Sequence, residues 1–187
     1  KHPPSPLKAG IPPLLERIKE EGSEPKKLVL IDAHAILHRA YHALPEFSNS
    51  KGEPTGALYG LAAMLIKIIK DLKPDYLAAA YDLPKPTFRH EAYKDYKAGR
   101  AKADDALISQ MKRSREIFEV FNIPIYDKEG FEADDVLGTI VQQVVKDKGL
   151  SLPAEAASAQ AGIKDCDVVI ASGDMDTLQL VDGKRVR

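Results

Sequence analysis

Short apolar runs alternate with longer segments of helical periodicity from residue 27 onward. The runs are "KLVLID", "DYLAAAYD", "IPIY" and "DVVIASGD", which end at Asp32, Asp82, Tyr126 and Asp174. Apolar residues recur at helical spacing in "TGALYGLAAMLIKIIKDL", "ADDALISQMKRSREIFEVF" and "EADDVLGTIVQQVVKDKG". Strands that alternate with helices and lack an apolar-polar alternation are typical of a parallel sheet buried on both faces. The pattern therefore predicts a three-layer α/β fold with a mostly parallel central sheet flanked by helices.

Two segments fall outside this alternation. Residues 1–26 are rich in proline and lysine around the amphipathic stretch "PLLERIKEEG", so we interpret them as a linker or appendage to a domain over residues 27–187. The alanine-rich segment "LSLPAEAASAQAGIKD" before the last run is predicted to be a surface insertion.

Composition narrows the class of protein. The 187 residues are 44% hydrophobic and 29% charged, as expected for one soluble globular domain. No apolar run approaches the roughly 20 residues that span a bilayer, and no signal peptide is visible, so we expect a cytoplasmic protein with no membrane partner. The single cysteine, Cys166, fits a reducing compartment and a buried apolar position. A net charge of −1 argues against binding nucleic acid by bulk charge, although a local basic face remains compatible with it.

Carboxylates follow the predicted strands. Because the carboxyl ends of parallel strands share one edge, where ligands of open α/β sheets bind, we expect seven of them to converge: Asp32, Asp82, Glu132, Asp134, Asp135, Asp174 and Asp176. Crowded carboxylates without histidine or thiolate partners favour Mg²⁺ or Mn²⁺. Two such ions about 3.5–4 Å apart commonly serve displacement at a phosphodiester. The pattern indicates a two-metal phosphoryl-transfer or hydrolysis site.

A structural explanation exists for each acidic motif taken alone. Acids in "EADD" complement the dipole of a helix that starts there, and "SGDMD" is compatible with a turn and a helix cap. Capping, however, does not require several strands to deliver carboxylates to one edge. The convergence, rather than either motif, favours a functional site.

The stretch "KPTFRHEAYKDYKAGRAK" interleaves cations with aromatic residues. Cations can hold phosphates while aromatic rings stack on unpaired bases, so the candidate DNA-binding residues are Lys85, Arg89, Tyr93, Lys94 and Tyr96. The alternative is a solvated amphipathic helix. A second basic cluster, Lys112, Arg113 and Arg115, is interpreted as a solvated helix face.

Three histidines, His34, His38 and His42, recur at intervals of four and would share one face of a helix. That spacing suggests zinc, but no cysteine or second histidine cluster completes a site. We favour packing and hydrogen bonding on the substrate side.

Four motifs, in order, resemble the N-terminal 5′-nuclease domain of bacterial DNA polymerase I and its flap-endonuclease relatives. They are "LVLIDAHAILHRAYHALPEFSNSKGEPTGALYG", "YDLPKPTFRHEAYKDYKAGR", "GFEADDVLGT" and "SGDMDTLQLV". The resemblance implies a PIN-like fold and a two-metal 5′→3′ exonuclease or 5′-flap endonuclease acting on DNA in replication and repair. It implies that the seven carboxylates hold metal, and that Arg39, Lys97 and Arg100 lie near the scissile phosphate or in the helical gateway for the flap. A DNA polymerase is the implied partner, and we expect a monomer.

This sequence departs from the family pattern at several places. Ala33 follows the first aspartate, where the family has glycine, and the alanine-rich segment lengthens a connection. After "SGDMD" the family continues into a helix–hairpin–helix element and two further aspartates, which leads us to expect a truncated chain. The alternative function is therefore a non-catalytic or partner-dependent DNA-binding module. A phosphatase of the haloacid-dehalogenase type is disfavoured, because His34 stands where that family has its second aspartate.

Overall fold

The computed structural model describes residues 26–93, 96, 97, 99, 103–145 and 166–187. Residues 1–25 of the predicted N-terminal linker, the alanine-rich insertion and the candidate residues Lys94 and Arg100 lie outside the described residues, while Lys26, the last residue assigned to that linker, belongs to the first strand. The described elements are, in chain order, β1 (Lys26–Asp32), α1 (Ala33–Ala43), α2 (Gly56–Leu72), β2 (Tyr76–Ala80), α3 (Phe88–Ala92), α4 (Asp105–Val120), β3 (Ile125–Tyr126), α5 (Ala133–Val145), β4 (Cys166–Ala171) and a 3₁₀ helix (Met175–Leu180).

The four strands form one sheet in the order β3-β2-β1-β4, and every pairing is parallel. The predicted parallel sheet is confirmed. Strand β1 lies between two neighbours, with Asp32 opposite Ala80 of β2 and Ile31 opposite Ala171 of β4. The strands therefore end together, and the loops that follow them leave from the same edge.

Helices cover both faces of the sheet. On one face, Leu28 and Leu30 of β1 pack with Leu137 and Ile140 of α5. On the other face, Val29 and Ile31 belong to a cluster with residues of α1, α2 and α4, including Leu37, Leu61 and Phe118. Consecutive β1 residues point to opposite faces, and both faces are buried, so "LVLI" is continuously apolar.

Two of the predicted strands are shorter in the structure. Strand β2 ends at Ala80 and β4 at Ala171, so Asp82 and Asp174 lie in the loops just beyond them. In each loop the aspartate side chain contacts a helix instead of continuing the strand. The Asp82 carboxylate accepts a hydrogen bond from the Ala133 N–H of α5, and Asp174 caps the 3₁₀ helix. Both carboxylates still lie at the carboxyl edge.

A close helix-helix contact sets the position of α1, which carries residues of the site. At Gly60 of α2, a Cβ atom would lie 2.7 Å from the Cβ of Ala40 in α1 and 2.8 Å from a methyl carbon of Leu44. Only a residue without a side chain allows the two backbones to approach this closely.

Cys166 is 1% exposed, in agreement with the prediction of a buried position, and burial raises the pKa of its thiol to about 11. Within the described ranges, none of the helices combines the length and apolar character required to cross a bilayer.

Candidate active site

Asp32, the last residue of β1, lies at the centre of the carboxyl edge and is 6% exposed. Its Oδ1 atom accepts the Ala35 N–H at 3.0 Å and thereby caps α1, while its Oδ2 accepts from the Ser172 hydroxyl at 2.9 Å. Burial raises the pKa of Asp32, and these two hydrogen bonds offset only part of that rise. Both carboxylate oxygens are thus held in place from different elements.

Asp82 connects the end of β2 to two other elements. Its Oδ1 accepts the Ala133 N–H at the start of α5 at 2.7 Å, and its Oδ2 lies 3.2 Å from His34 Nδ1 on α1. Burial acts to raise the pKa of Asp82, but the hydrogen bonds from His34 and Ala133 outweigh it, so that the net pKa is lowered. Asp82 is therefore an ionised carboxylate at the N-terminus of a helix, where the helix dipole favours negative charge.

Ser172 links Asp32 to the loop after β4. Its Oγ accepts the Asp174 N–H at 3.0 Å while its hydroxyl donates to Asp32. Asp174 in turn accepts the Asp176 N–H at 3.0 Å, and both of these aspartates are exposed. Sequence reasoning missed Ser172, although its place directly before "GDMD" and beside a predicted strand end was a usable signal.

The three acids of "EADD" surround the first turn of α5 and contact cations. Arg89 of α3 binds Asp135 with two hydrogen bonds, of 2.6 and 2.8 Å. Glu132 accepts from Lys97 Nζ at 2.6 Å and from the Tyr96 hydroxyl at 3.0 Å, and Arg89 Nη1 lies 3.5 Å from it. The hydrogen bonds to Asp135 raise the pKa of Arg89 above its ordinary value. The capping explanation also holds, since Asp135 accepts the Glu132 N–H.

Asp134 is the least compensated of the three acids. Its carboxylate lies 3.7 Å from Arg89 Nη2, beyond hydrogen-bonding distance, and its side chain is 21% exposed. Burial, and then repulsion from the neighbouring Asp135, raise its pKa to about 6. A group in this position favours binding a proton or another cation near neutral pH.

The donor chemistry at this edge fits a hard divalent ion, because the candidate ligands are carboxylate oxygens. In their present arrangement, no three histidine, cysteine, aspartate or glutamate residues among those described are placed to hold one metal ion. The same finding gives no support, within these residues, to a zinc site at the three histidines, the interpretation that the sequence disfavoured. Ion pairs to Arg89 and Lys97 occupy part of the carboxylate set.

The basic and aromatic candidates separate into three groups. Arg89, Tyr96 and Lys97 contact the acidic residues directly. Lys85 instead pairs with Glu129 at 2.9 Å, and Tyr93 is 62% exposed at the end of α3. The helical spacing suggested for this stretch holds only over Phe88–Ala92 of the described residues, since Lys97 has a positive φ of 59°.

A cleft of about 1540 Å³ opens from the carboxyl edge between α1 and α4. Asp32, Asp82 and Asp174 lie on its lining, together with the candidate residue Arg39. His34, His38 and His42 all line the α1 side, so the prediction that they share one face is correct. Lys112 and Arg115 line the α4 side; Lys112 is exposed, as the interpretation of a solvated face requires, whereas Arg115 is half-buried and donates to Asp127.

These features define an α/β protein with a carboxylate-rich cleft at the carboxyl edge of a parallel sheet. Residues 27–187 match the family model for the 5′-3′ exonuclease N-terminal resolvase-like domain. The chain belongs to this family.

Sequence relatives agree with that assignment. The chain is 43% identical over 156 residues to DNA polymerase I of Caldicellulosiruptor bescii, with 83% of this chain and 16% of that protein covered. It is 39% identical over 162 residues to DNA polymerase I of Bacillus subtilis, with 87% of this chain and 16% of that protein covered. It is 38% identical over 156 residues to a 5′-3′ exonuclease of Aquifex aeolicus, with 83% of this chain and 48% of that protein covered. The chain thus spans about a sixth of the polymerases and half of the exonuclease.

Solved structures share the fold. A phage T5 protein co-crystallised with metal ions matches 86% of this chain and 54% of its own, with a TM-score of 0.58 and 21% identity. The T5 flap endonuclease in complex with DNA and metal ions matches 86% of this chain and 53% of its own, with a TM-score of 0.55 and 19% identity. These likenesses confirm the predicted PIN-like α/β architecture.

Proposed function

We propose that the chain is a divalent-metal-dependent nuclease domain that hydrolyses phosphodiester bonds at 5′ ends or 5′ flaps of DNA. The observation that carries the proposal is that carboxylates from the ends of β1, β2 and β4 and from the start of α5 lie together at one edge of the sheet. Arg89 and Lys97 donate hydrogen bonds to the acids at the start of α5. Membership of a 5′-3′ exonuclease family supports the reaction. The polarity of cleavage comes from the relatives alone.

The residues that would hold the metal are the seven carboxylates Asp32, Asp82, Glu132, Asp134, Asp135, Asp174 and Asp176. Bound Mg²⁺ or Mn²⁺ would supply Lewis-acid charge stabilisation and an activated water, and two ions are proposed. The raised pKa of Asp134 supports this assignment, because a half-buried carboxylate beside a second acid is stabilised by a cation. An ion among these acids would compete with Arg89 and Lys97 for their charge.

The cations would then act on the substrate. Lys97 and Arg89, released in part from Glu132 and Asp135, would donate hydrogen bonds to phosphate oxygens. Lys97, with Arg100 and Arg39, would stabilise the negative charge that develops on the phosphodiester oxygens. Tyr93 and Tyr96 would offer ring faces to unpaired bases, and Lys85 and Lys94 would provide further phosphate contacts.

The proposal extends to partners and setting. DNA polymerase I relatives carry this domain within a much longer chain, so a polymerase is the proposed partner in replication and repair. We propose that the domain itself is monomeric and acts in the cytoplasm.

Cleavage of a labelled 5′-flap DNA in Mg²⁺ or Mn²⁺ tests the proposal. The chain should release the flap strand, Lys97→Ala should cut more slowly, and Asp134→Asn should abolish cutting. Asp71→Asn is the matched control, because Asp71 is an exposed α2 carboxylate paired only with Lys67 among the described residues. A substrate with a 3′ flap tests polarity.

The outcomes separate the candidate functions. Cutting that survives Asp134→Asn would contradict the catalytic assignment. Flap binding without metal-dependent cutting would favour the DNA-binding module, a role that the cation-paired state of Glu132 and Asp135 favours. Hydrolysis of a small phosphate ester without DNA cleavage would indicate a phosphatase.

A further inference from the structure

His34 lies between two of the carboxylates that follow neighbouring strands. It is the second residue of α1 and comes two positions after the buried Asp32. Its ring Nδ1 atom lies 3.2 Å from Asp82 Oδ2, in the loop after β2. Burial contributes most to the raised pKa of Asp32, the charge of Asp82 adds to that rise, and His34 opposes it. His34 is therefore placed where two acids repel each other.

The direction of the hydrogen bond between His34 and Asp82 follows from the charge of the carboxylate. The pKa of Asp82 is lowered, so the group is ionised near neutral pH, and an ionised carboxylate only accepts hydrogen bonds. His34 Nδ1 therefore carries a hydrogen and donates it to Oδ2. Since Oδ1 accepts the Ala133 N–H at 2.7 Å, donors from two different helices orient the two oxygens of Asp82.

The His34 ring is itself held in place. It meets the ring of the buried Tyr81 edge-on, with 5.1 Å between the ring centroids and an angle of 77° between the planes. The Tyr81 hydroxyl lies 2.8 Å from the Ser114 hydroxyl of α4, which fixes that ring in turn. The His34 side chain is only 17% exposed. Packing of this kind restricts the rotamer of the donor, so the donor is in place before any ion binds.

Asp82 stays accessible to an ion despite these contacts. Its side chain is 42% exposed, and it lines the cleft. An ionised carboxylate offers about four lone-pair sites, so the hydrogen bonds from His34 and Ala133 do not exhaust its capacity as an acceptor. Glu132, by contrast, accepts from Lys97 at 2.6 Å and is 11% exposed at its side chain. Asp82 is therefore an acid that the metal-free structure both orients and exposes.

We infer that His34 is a positioning residue, which holds Asp82 Oδ2 in the orientation that Asp82 needs as a ligand of Mg²⁺ or Mn²⁺. This inference rests on the proposed function, because it assigns His34 a role toward the proposed metal site. Loss of a hydrogen-bond partner of a metal ligand typically lowers metal affinity by about 10–100-fold. A purely structural role would depend on the ring that packs against Tyr81, whereas positioning depends on the N–H that reaches Asp82.

Mn²⁺ binding without DNA, followed by the electron paramagnetic resonance signal of free Mn²⁺, separates the donor from the ring. His34→Phe keeps an aromatic ring beside Tyr81 but has no N–H, so it should bind Mn²⁺ about 10–100-fold more weakly. His34→Asn should retain the affinity of the unmodified protein, because its amide nitrogen is as many bonds from the backbone as Nδ1. His42→Ala is the matched control and should also retain it, since the His42 ring lines the same side of the cleft but contacts Tyr41.

Two results would overturn the inference. One is an Mn²⁺ affinity of His34→Phe equal to that of the unmodified protein. The other is a loss in His34→Asn as large as the loss in His34→Phe, which would assign the effect to packing of the ring. Thermal unfolding without metal shows whether each variant is folded, and His34→Ala, which lacks the donor and adds no bulk, replaces a His34→Phe protein that does not fold.

Flap cleavage by the unmodified chain is scored separately from Mn²⁺ binding. Cleavage together with equal Mn²⁺ affinities in all variants refutes the role of His34 and leaves the proposed function intact. The expected differences in affinity without any cleavage do the reverse. An unmodified chain that binds no Mn²⁺ would overturn both.

Discussion

At the scale of single residues, the site depends on how each carboxylate is neutralised. Asp82 receives two hydrogen bonds and its pKa is lowered, while Asp134 has no cation within hydrogen-bonding distance and its pKa is about 6. Both are aspartates near a strand end or a helix start, which the sequence alone could not distinguish. They differ because the fold brings His34 and the Ala133 N–H to Asp82, while Arg89 stays 3.7 Å from Asp134.

Replacing Ser172 with alanine should lower the free energy of unfolding. The substitution removes a hydroxyl donor to the mostly buried Asp32 carboxylate, and a hydrogen bond to a charged group contributes about 1.5–3 kcal/mol. Urea denaturation at pH 7 without metal measures the loss. Ser109→Ala is the control, because Ser109 is exposed and donates only to the Ala106 carbonyl of its own helix. A Ser172→Thr variant should retain stability, and equal losses in Ser172→Ala and Ser109→Ala would refute the link.

Replacing Asp134 with asparagine should make the metal-free protein more stable at high pH. The folded pKa of about 6 lies above the ordinary value of 3.8, so the folded state binds the proton more tightly. The stabilisation by the bound proton is complete below pH 4 and is lost as the pH rises through about 6. The free energy of unfolding of Asp134→Asn should exceed that of the unmodified protein by about 1–3 kcal/mol at pH 8, and this difference should disappear towards pH 4. Urea denaturation curves at both pH values measure this difference. A difference that does not change with pH would contradict the raised pKa of Asp134.

At the scale of secondary-structure elements, close packing of α1 against α2 positions the α1 wall of the cleft. The sequence predicted α2 over its full length, and its apolar periodicity follows the face buried against the sheet. Gly60 was not singled out, because a glycine inside a helical pattern looks only like a weak helix former. Its role appears once Ala40 and Leu44 are seen within 3 Å of the position of its missing Cβ.

Gly60→Ala should therefore destabilise the protein despite the better helix propensity of alanine. Overpacking against the Ala40 Cβ and the Leu44 side chain should cost about 1–3 kcal/mol, which exceeds the propensity gain of about 1 kcal/mol. Thermal unfolding followed by circular dichroism measures the difference. Ala63→Gly, at an exposed position of the same helix, should lose only the propensity term. A Gly60→Ala protein more stable than the parent would show that the contact relaxes freely.

At the scale of the whole molecule, one sheet edge collects parts from the entire chain. Asp32 and Ser172 are separated by 140 positions in the sequence, yet a hydrogen bond joins their side chains. Parallel pairing of β1 with both β2 and β4 creates this proximity, since it sends all three strand ends to the same side. Binding of a cation at that edge should therefore stabilise the entire fold.

Mg²⁺ should raise the midpoint of thermal unfolding of the chain. A ligand that binds only the folded state at 100 times its Kd contributes about 2.7 kcal/mol. The increase should vanish in Asp134→Asn and persist in Asp71→Asn, and it should weaken below about pH 6, where protons compete for Asp134. An equal increase in all three proteins would indicate nonspecific salt stabilisation and would contradict a metal site at this edge.

The sequence by itself determined the class of fold and the edge at which the acids gather. Hydrophobic periodicity is a local property, and strands that alternate with helices leave few topologies other than a parallel sheet. The predicted strand ends at Asp32, Asp82 and Asp174 could therefore be assigned to one side from the sequence alone, and the seven metal ligands remain a prediction that the experiments above address.

Only the tertiary structure decided the pairing of charges and the shape of the cleft. Whether Lys112 lines the cleft depends on the rotation of α4 against α1, and whether Arg89 is available depends on its distance from Asp135. Such relations join residues far apart in the chain, and side-chain type alone does not encode them. The acidic edge could therefore be predicted from the sequence, whereas the ion pairs of Arg89 and Lys97 are visible only in the fold.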